Sequence, residues 1–340
     1  MPASAATYTI SATNSAGTSS AAVSIQVNAA TPLVLGTAAS APNLIIANTS
    51  AVYFTTNTEI YSLPTGASGV PSSFAAIAGG NGDTGAYGLG LDSTYLYFTD
   101  YGPGQLQRVL LASPFTLSTI ATFGYSTYYA QEVAVAGGNV YWSGYTSGQV
   151  EETPVAGSTI TQLFNAGSTY NVVKLATDSS NVYWTSNPNS TFNAANHGGI
   201  YQLPLSATSS AGTVTLATGL RSPTSITATS GYVYWTDNLN NDVEMVSIGN
   251  TSASPTVVTS SETGASSIIS DSKAIYWVDV LNASSPGLST IRMCLLIGSG
   301  ACGPAATLAT VNDYVPSLAL NAQSLFWTEV YTSQIVQLVK

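Results

Sequence analysis

Along most of the chain, apolar and polar residues alternate with a period of two, the pattern of strands that line a sheet. The stretch GYVYWTDNLNNDVEMVSI, residues 231–248, is representative: an alternating apolar run, Thr-Asp, a polar turn, and a second alternating run. Such runs, bounded by Gly, Asn, Asp and Ser, follow one another to the C-terminus and predict short strands joined by turns. No segment carries the 3.6-residue apolar period of an amphipathic helix.

The pattern is also self-similar. VYWTD has counterparts in AVYFTT (51–56), YLYFTD (95–100), NVYWSG (139–144), NVYWTS (181–186), YVYWTD (232–237), AIYWVD (274–279) and SLFWTE (324–329). The second aromatic of each copy falls at Phe54, Phe98, Trp142, Trp184, Trp235, Trp277 and Trp327, at spacings of 44, 44, 42, 51, 42 and 50. A period of this length matches a propeller blade of four strands. Each repeat begins with an apolar strand, as at Leu89/Leu91, Val133/Val135 and Leu318/Leu320. Asn48, Asp92, Asp178, Asp271 and Asn321, each six positions before the aromatic, then predict an Asx-turn. The aromatic strand follows, then a third strand such as EIYSLP or GIYQLPL, and a fourth such as TVTLAT. The last repeat ends after its third strand, SQIVQLVK, whereas TPLVLGT at 31–37 reads as a fourth strand without a preceding three. The expected architecture is an all-β, seven-bladed β-propeller over 31–340, closed by a three-plus-one strand clasp that removes an open edge.

These repeats resemble the YWTD type of β-propeller and the loosely related repeats of bacterial extracellular proteins, with VYWTD at 233–237 the best match. The resemblance implies the fold. It also implies that the carboxylates of the fifth motif position, Asp100, Asp237, Asp279 and Glu329, satisfy polar groups between blades rather than bind a ligand. Propellers serve as scaffolds, receptors and enzymes, so the resemblance alone assigns no activity.

Residues 1–30 form a different unit. Tyr8/Ile10/Ala12 and Val23/Ile25/Val27 alternate on either side of the turn NSAG, which predicts a hairpin. It resembles the closing hairpin of bacterial immunoglobulin-like repeats, although five strands of that sandwich are missing. An isolated hairpin is marginal in water, so its apolar face needs a cover. Three explanations stand open: a cut from a longer multidomain protein, docking on its own propeller, or strand addition to a neighbouring copy. The last would be a heterologous contact, and repeated it makes a ring or a filament.

Composition narrows the partners. Only 6% of residues are charged, against about 25% in ordinary soluble proteins, so Ser, Thr and Asn must solvate the surface. With six basic residues and a net charge of −10, the chain cannot neutralise a run of phosphates, and nucleic acid is excluded as a partner. No apolar run is long enough to span a bilayer, and MPASAATYTI lacks the features of a signal peptide. Cys294 and Cys302 fit neither a zinc nor a CxxC pattern; a disulfide closing that loop is expected, with two reduced thiols as the alternative. The polar, acidic, lysine-poor surface and a disulfide together suit an extracellular or bacterial cell-surface location.

In a propeller, the loops from fourth to first strand and from second to third strand share the face around the channel mouth. Candidate ligand-binding residues there are Tyr125, Tyr128, Tyr129, Tyr170, His197, Arg221, Asp313 and Tyr314. Flat rings beside amides and carboxylates suit a sugar or peptide surface. Glu132 and Lys174 lie ten residues before their aromatics in adjacent repeats, which predicts an ion pair at the channel rim. No chelate spacing supports Ca²⁺ or another metal, and no cofactor motif occurs. His197 is the only histidine, and it stands in an Asn-rich loop. The sets of residues that a propeller lyase or a sialidase-like hydrolase would need cannot be assembled, and catalytic residues are expected to be none. The expectation is a non-catalytic extracellular module with a structural, adhesive or self-assembling role through residues 1–30. A carbohydrate- or peptide-binding propeller is the alternative, and a propeller lyase or hydrolase with Glu132 and His197 in its site is the third and weakest reading.

Overall fold

The computed structural model describes residues 5–14 and 17–26 as backbone, and 31–78, 85–123, 130–157, 159–188, 198–229, 231–249, 254–297 and 300–340 in full. Seven antiparallel sheets follow one another, with a separate two-stranded hairpin in front of them. The first strand of each sheet neighbours the first strand of the next, and that of the seventh returns to the first, closing a seven-bladed β-propeller. Blades one to six comprise residues 45–76, 86–122, 130–165, 170–220, 223–260 and 265–311. Blade seven takes Leu318–Leu320, Ser324–Glu329 and Gln334–Val339 from the C-terminal end and Leu33–Thr37 from the N-terminal end. Leu33 pairs with Gln337 and Thr37 with Gln334, so the expected clasp is present.

The alternation in the second strand of each blade builds the interfaces. Successive strand residues point to opposite faces, so the two aromatics of each motif face the two neighbouring blades. Tyr53 packs in one cluster with Phe98, and Tyr97 with Trp142. Tyr141 packs with Trp184, Tyr183 with Trp235, Tyr234 with Trp277, and Tyr276 with Trp327. Phe326 and Phe54 close the circle in the cluster that also buries Leu35 of the clasp. The seven core clusters are therefore the seven blade-to-blade interfaces.

Asn48, Asp92, Asp178, Asp271 and Asn321 all form the expected turns, each Oδ1 accepting the N–H groups two and three residues on. The other two blades turn with glycine instead: Gly137 and Gly138 in blade three, and Gly231 in blade five, have positive φ. Asp92 and Asp178 do a second task, accepting the buried hydroxyls of Tyr97 (2.8 Å) and Tyr183 (2.7 Å) through Oδ2.

The position ten before each aromatic is occupied by Leu44, Gly88, Glu132, Lys174, Ser225, Ser267 and Ser317, and at Gly88, Ser225, Ser267 and Ser317 it meets the next blade's inner strand. Three of its side chains accept a backbone N–H from the next blade: Ile268 donates to Ser225 Oγ (3.1 Å), Leu318 to Ser267 Oγ (3.0 Å) and Ile45 to Ser317 Oγ (3.3 Å). At Gly88 the fit is steric. A Cβ there would lie 2.6 Å from Gln131 O and 2.7 Å from Val133 N, both backbone atoms of blade three. Gly88→Ala is therefore expected to push the second and third blades apart and cost about 1–3 kcal/mol, read as a lower urea midpoint with an unchanged slope.

Candidate functional site

Strand register defines the two ends of the propeller. In blade three Ala130, Gly144, Gln149 and Asn165 lie in one row across the four strands. The loops entering the first strand and those joining second to third therefore share one end. Tyr125, Tyr128, Tyr129 and His197 lie outside the described residues. The other four candidates fall at three separate places: Tyr170 at the start of blade four, Arg221 before blade five, and Asp313 and Tyr314 together in the loop before blade seven. Tyr170 opens blade four, half-buried and close to Tyr201, whose hydroxyl is pushed up by burial and by Tyr170. Phe164, Trp184 and Tyr201 pack together there, with centroids 4.9 to 5.7 Å apart. Arg221 is exposed, and its guanidinium donates to Leu239 O at 3.3 Å. Asp313 is 1% exposed and its carboxylate is occupied: Oδ1 accepts the N–H groups of Tyr314 (2.7 Å) and Tyr331 (2.8 Å), and Oδ2 that of Thr332 (2.7 Å). Tyr314 stands beside Tyr331, and burial raises its hydroxyl. Tyr331 in turn donates to Ala283 O of blade six (2.6 Å).

Two of the motif carboxylates serve the backbone. Asp100 accepts the N–H of Ala78, and Asp237 those of Arg221, Ser222 and Asn240. Both tie an entering loop to its own blade. Glu329 takes the indole N–H of Trp327 (3.0 Å) and the hydroxyl of Thr332 (3.0 Å).

Three further carboxylates, those of Glu262, Glu151 and Glu244, were not evident from sequence. Glu262, from the loop between blades five and six, accepts Trp277 Nε1 (3.1 Å), Thr259 Oγ1 (2.8 Å), and Arg292 through Nε (3.0 Å) and Nη2 (3.1 Å). Burial raises Glu262, but these hydrogen bonds outweigh it and its net shift is downward. Asp279, 3.6 Å from Arg292 Nε, goes the other way: burial and the Glu262 charge push it up to about 8. Glu151 and Glu244 pair in register with Trp142 and Trp235 and are 6% and 8% exposed. Each keeps one oxygen without a hydrogen-bond partner, and burial raises each to about 7, with Asp242 and Asp237 adding to the effect at Glu244. Their shared signal in the sequence is an acid nine residues after a motif Trp.

Along the axis the inner strands enclose a cavity of about 480 Å³ to which all seven blades contribute. Glu132 and Lys174 are the charged residues lining it, and they form an ion pair across the junction of blades three and four. Burial raises the Glu132 carboxyl, and the Lys174 ammonium opposes that shift. Their backbone N–H groups are held by Ser143 Oγ and Thr185 Oγ1, both at 3.1 Å. Cys294 and Cys302 are joined by a disulfide at the end of the third strand of blade six. Among the described residues no three His, Cys, Asp or Glu side chains are grouped to hold a metal, and no helix is long and apolar enough to cross a membrane.

No protein-family model matches the chain, and no curated protein matches it by sequence. Its fold is similar to that of virginiamycin B lyase from Staphylococcus aureus, with a TM-score of 0.67 and 11% identity over 91% of this chain and 98% of that one. It is also similar to a structure of YCF48 bound to D1 peptide, with a TM-score of 0.64 and 9% identity over 92% and 96% of the two chains. A chain of a nidogen/laminin complex matches with a TM-score of 0.53 and 18% identity over 75% and 92%. At these identities the likeness is one of fold.

The buried acids give the molecule a pH signature. A carboxyl raised by folding contributes stability that is complete below its unfolded value of about 4.3 and is lost as the pH rises through its folded value. For Glu151 and Glu244 that loss runs from about pH 4.3 to about pH 7, above which it is complete. Urea denaturation is expected to give lower stability at pH 8 than at pH 5. Glu151→Gln and Glu244→Gln should each flatten the dependence and stabilise the protein at the higher pH.

Proposed function

We propose that this chain is a non-catalytic, extracellular structural module of a bacterial surface, whose propeller is a rigid block and whose hairpin joins it to other copies by strand addition. The observation that carries this reading is the hairpin's register. Ala5–Asn14 pairs antiparallel with Gly17–Gln26, with Ala6 opposite Ile25, Tyr8 opposite Val23, and Ile10 opposite Ala21. Directly opposed residues share a face, so one face of this ribbon has the positions of Ala6, Tyr8, Ile10, Ala12, Ala21, Val23 and Ile25, ending in Ser19, Asn14 and Gly17, and the other those of Thr, Ser and Gln with Ala5 and Ala22. Among the described residues the ribbon pairs only with itself. Two strands do not stabilise such a face alone, and both edges are open to a further strand. The disulfide and the scarcity of charge favour an extracellular setting. The lyases among the structural neighbours share only the fold with this chain, as do the propellers seen with a peptide or in a protein complex.

A second reading, a carbohydrate- or peptide-binding face, is favoured by one feature. Leu239 and Tyr331, on the second-to-third loops of blades five and seven, and Leu281, at the end of the second strand of blade six, are 56%, 45% and 46% exposed on the same end as Arg221 and Tyr314. Under this reading, replacing Tyr128, Tyr129, Tyr170 and Tyr314 with alanine would weaken binding to any glycan or peptide that the chain retains in an array. Under the leading reading, light scattering and electron microscopy of the full chain should reveal concentration-dependent oligomers or filaments. A version lacking residues 1–30 should remain monomeric with an unchanged melting temperature, because the clasp at 33–37 is retained. Monomers in both preparations would contradict it.

A further inference from the structure

The axial cavity is uneven in its chemistry. At the level of the first interlocking ring, the hydroxyls of Ser225, Ser267 and Ser317 are committed to backbone N–H groups of the next blade. The Glu132–Lys174 pair is different. An ammonium has three N–H donors, and among the described residues that of Lys174 has one partner, Glu132 Oε2. Glu132 Oε1 accepts no hydrogen bond among those residues. The Lys174 side chain is 33% exposed and that of Glu132 17% exposed, and both line the cavity. Spare donors and a spare acceptor of opposite charge thus stand side by side, facing open space.

Two residues further along the inner strands the lining changes. Ile46, Ala134, Ala176, Ile269 and Ala319 follow the ring positions and line the cavity with apolar side chains, and Thr227 stands among them with its hydroxyl bonded to Ser270 Oγ (2.7 Å). Leu44 adds an aliphatic wall at the level of the ion pair. The space therefore has a charged patch at one level and an apolar sleeve beneath it. Its volume of about 480 Å³ lies within the range of small-molecule sites. A structural ion pair needs no such sleeve, and a purely apolar ligand would gain nothing from the charges.

We propose that the axial channel is a binding site for a small α-substituted aliphatic acid, a 2-hydroxy or 2-amino acid with a short branched or linear apolar chain. The carboxylate accepts from the free N–H donors of Lys174. The adjacent hydroxyl or ammonium donates to Glu132, and the apolar chain lies in the sleeve formed by Ile46, Ala134 and Ala176. The ion pair need not break, because the ligand uses only the capacity that the pair leaves unused. The proposal is independent of whether copies assemble through the hairpin.

The test uses the full chain with two probes, 2-hydroxy-4-methylpentanoate and L-leucine, and 4-methylpentan-1-ol as the control that lacks a carboxylate. Calorimetric titration should give saturable binding of at least one acid and none of the alcohol. Lys174→Met, checked for folding by near-ultraviolet circular dichroism, should weaken that binding by about tenfold or more. In wild-type protein labelled at alanine methyls, the same acid should shift the Ala134 and Ala176 signals, a readout that needs no variant to fold. Failure of both acids to bind, binding undiminished by Lys174→Met, or binding that leaves the Ala134 and Ala176 methyls unmoved would each overturn the proposal.

Discussion

Everything in this propeller depends on one alternation, the placing of two consecutive aromatic residues on opposite faces of each blade's second strand. Because the faces of a strand are occupied in turn, a Tyr-Trp pair reaches both neighbours at once. Seven such pairs make seven interfaces that differ in detail but share one geometry, from Tyr53 against Phe98 to Phe326 against Phe54. Among the described residues, the fully buried side chains of largest volume are these motif aromatics. Large rings dominate the energetics of a core, so blade order and spacing follow from them. The remaining geometry adjusts to that spacing. Where the inner strands approach most closely the position is small or bonded across the junction, as at Gly88, Ser225 and Ser267.

The same packing dictates the polar chemistry. Tyr hydroxyls and Trp indoles bring polar atoms into the interfaces, and those atoms need partners. Asp92 and Asp178 supply them to tyrosines, and Glu262 and Glu329 to tryptophans. Glu151 and Glu244 occupy the corresponding place in blades three and five without a geometrically complete bond, and burial raises both carboxyls. A chain with so few charges spends many of its acids between blades. Most of the motif and loop carboxylates are consequently engaged in holding loops and rings, which directs attention to the axial cavity and to the hairpin.

Much of this was legible before any coordinates. The aromatic period located all seven blades, the Asx positions located five turns, and TPLVLGT matched the strand that blade seven lacked. Repeat arithmetic also brought Glu132 and Lys174 together, because equal distances from the motif aromatic are equivalent positions around the axis. The buried acids were hidden for a physical reason. A run such as QVEETPV looks like a strand with one solvated face, whereas the middle strands of a propeller are covered on both faces by neighbouring blades. Glu262 was hidden because it reaches Trp277 from a loop of variable length. The hydroxyl contacts of Ser225, Ser267 and Ser317 were lost among the many serines of the chain. Asp313 stood out as a loop acid near tyrosines, and only the fold reveals that its carboxylate is taken by three N–H groups.

The account joins a closed, rigid ring to a hairpin that waits for a partner, and hydrogen exchange of the full chain at low and high protein concentration tests that join most directly. The amides that join Leu33–Thr37 to Gln334–Val339, and those of Ile268 and Leu318, should be strongly protected at both concentrations. Residues 5–26 should exchange fast when dilute and slowly when concentrated. Protection of 5–26 that does not depend on concentration, or fast exchange along Leu33–Thr37, would contradict the account.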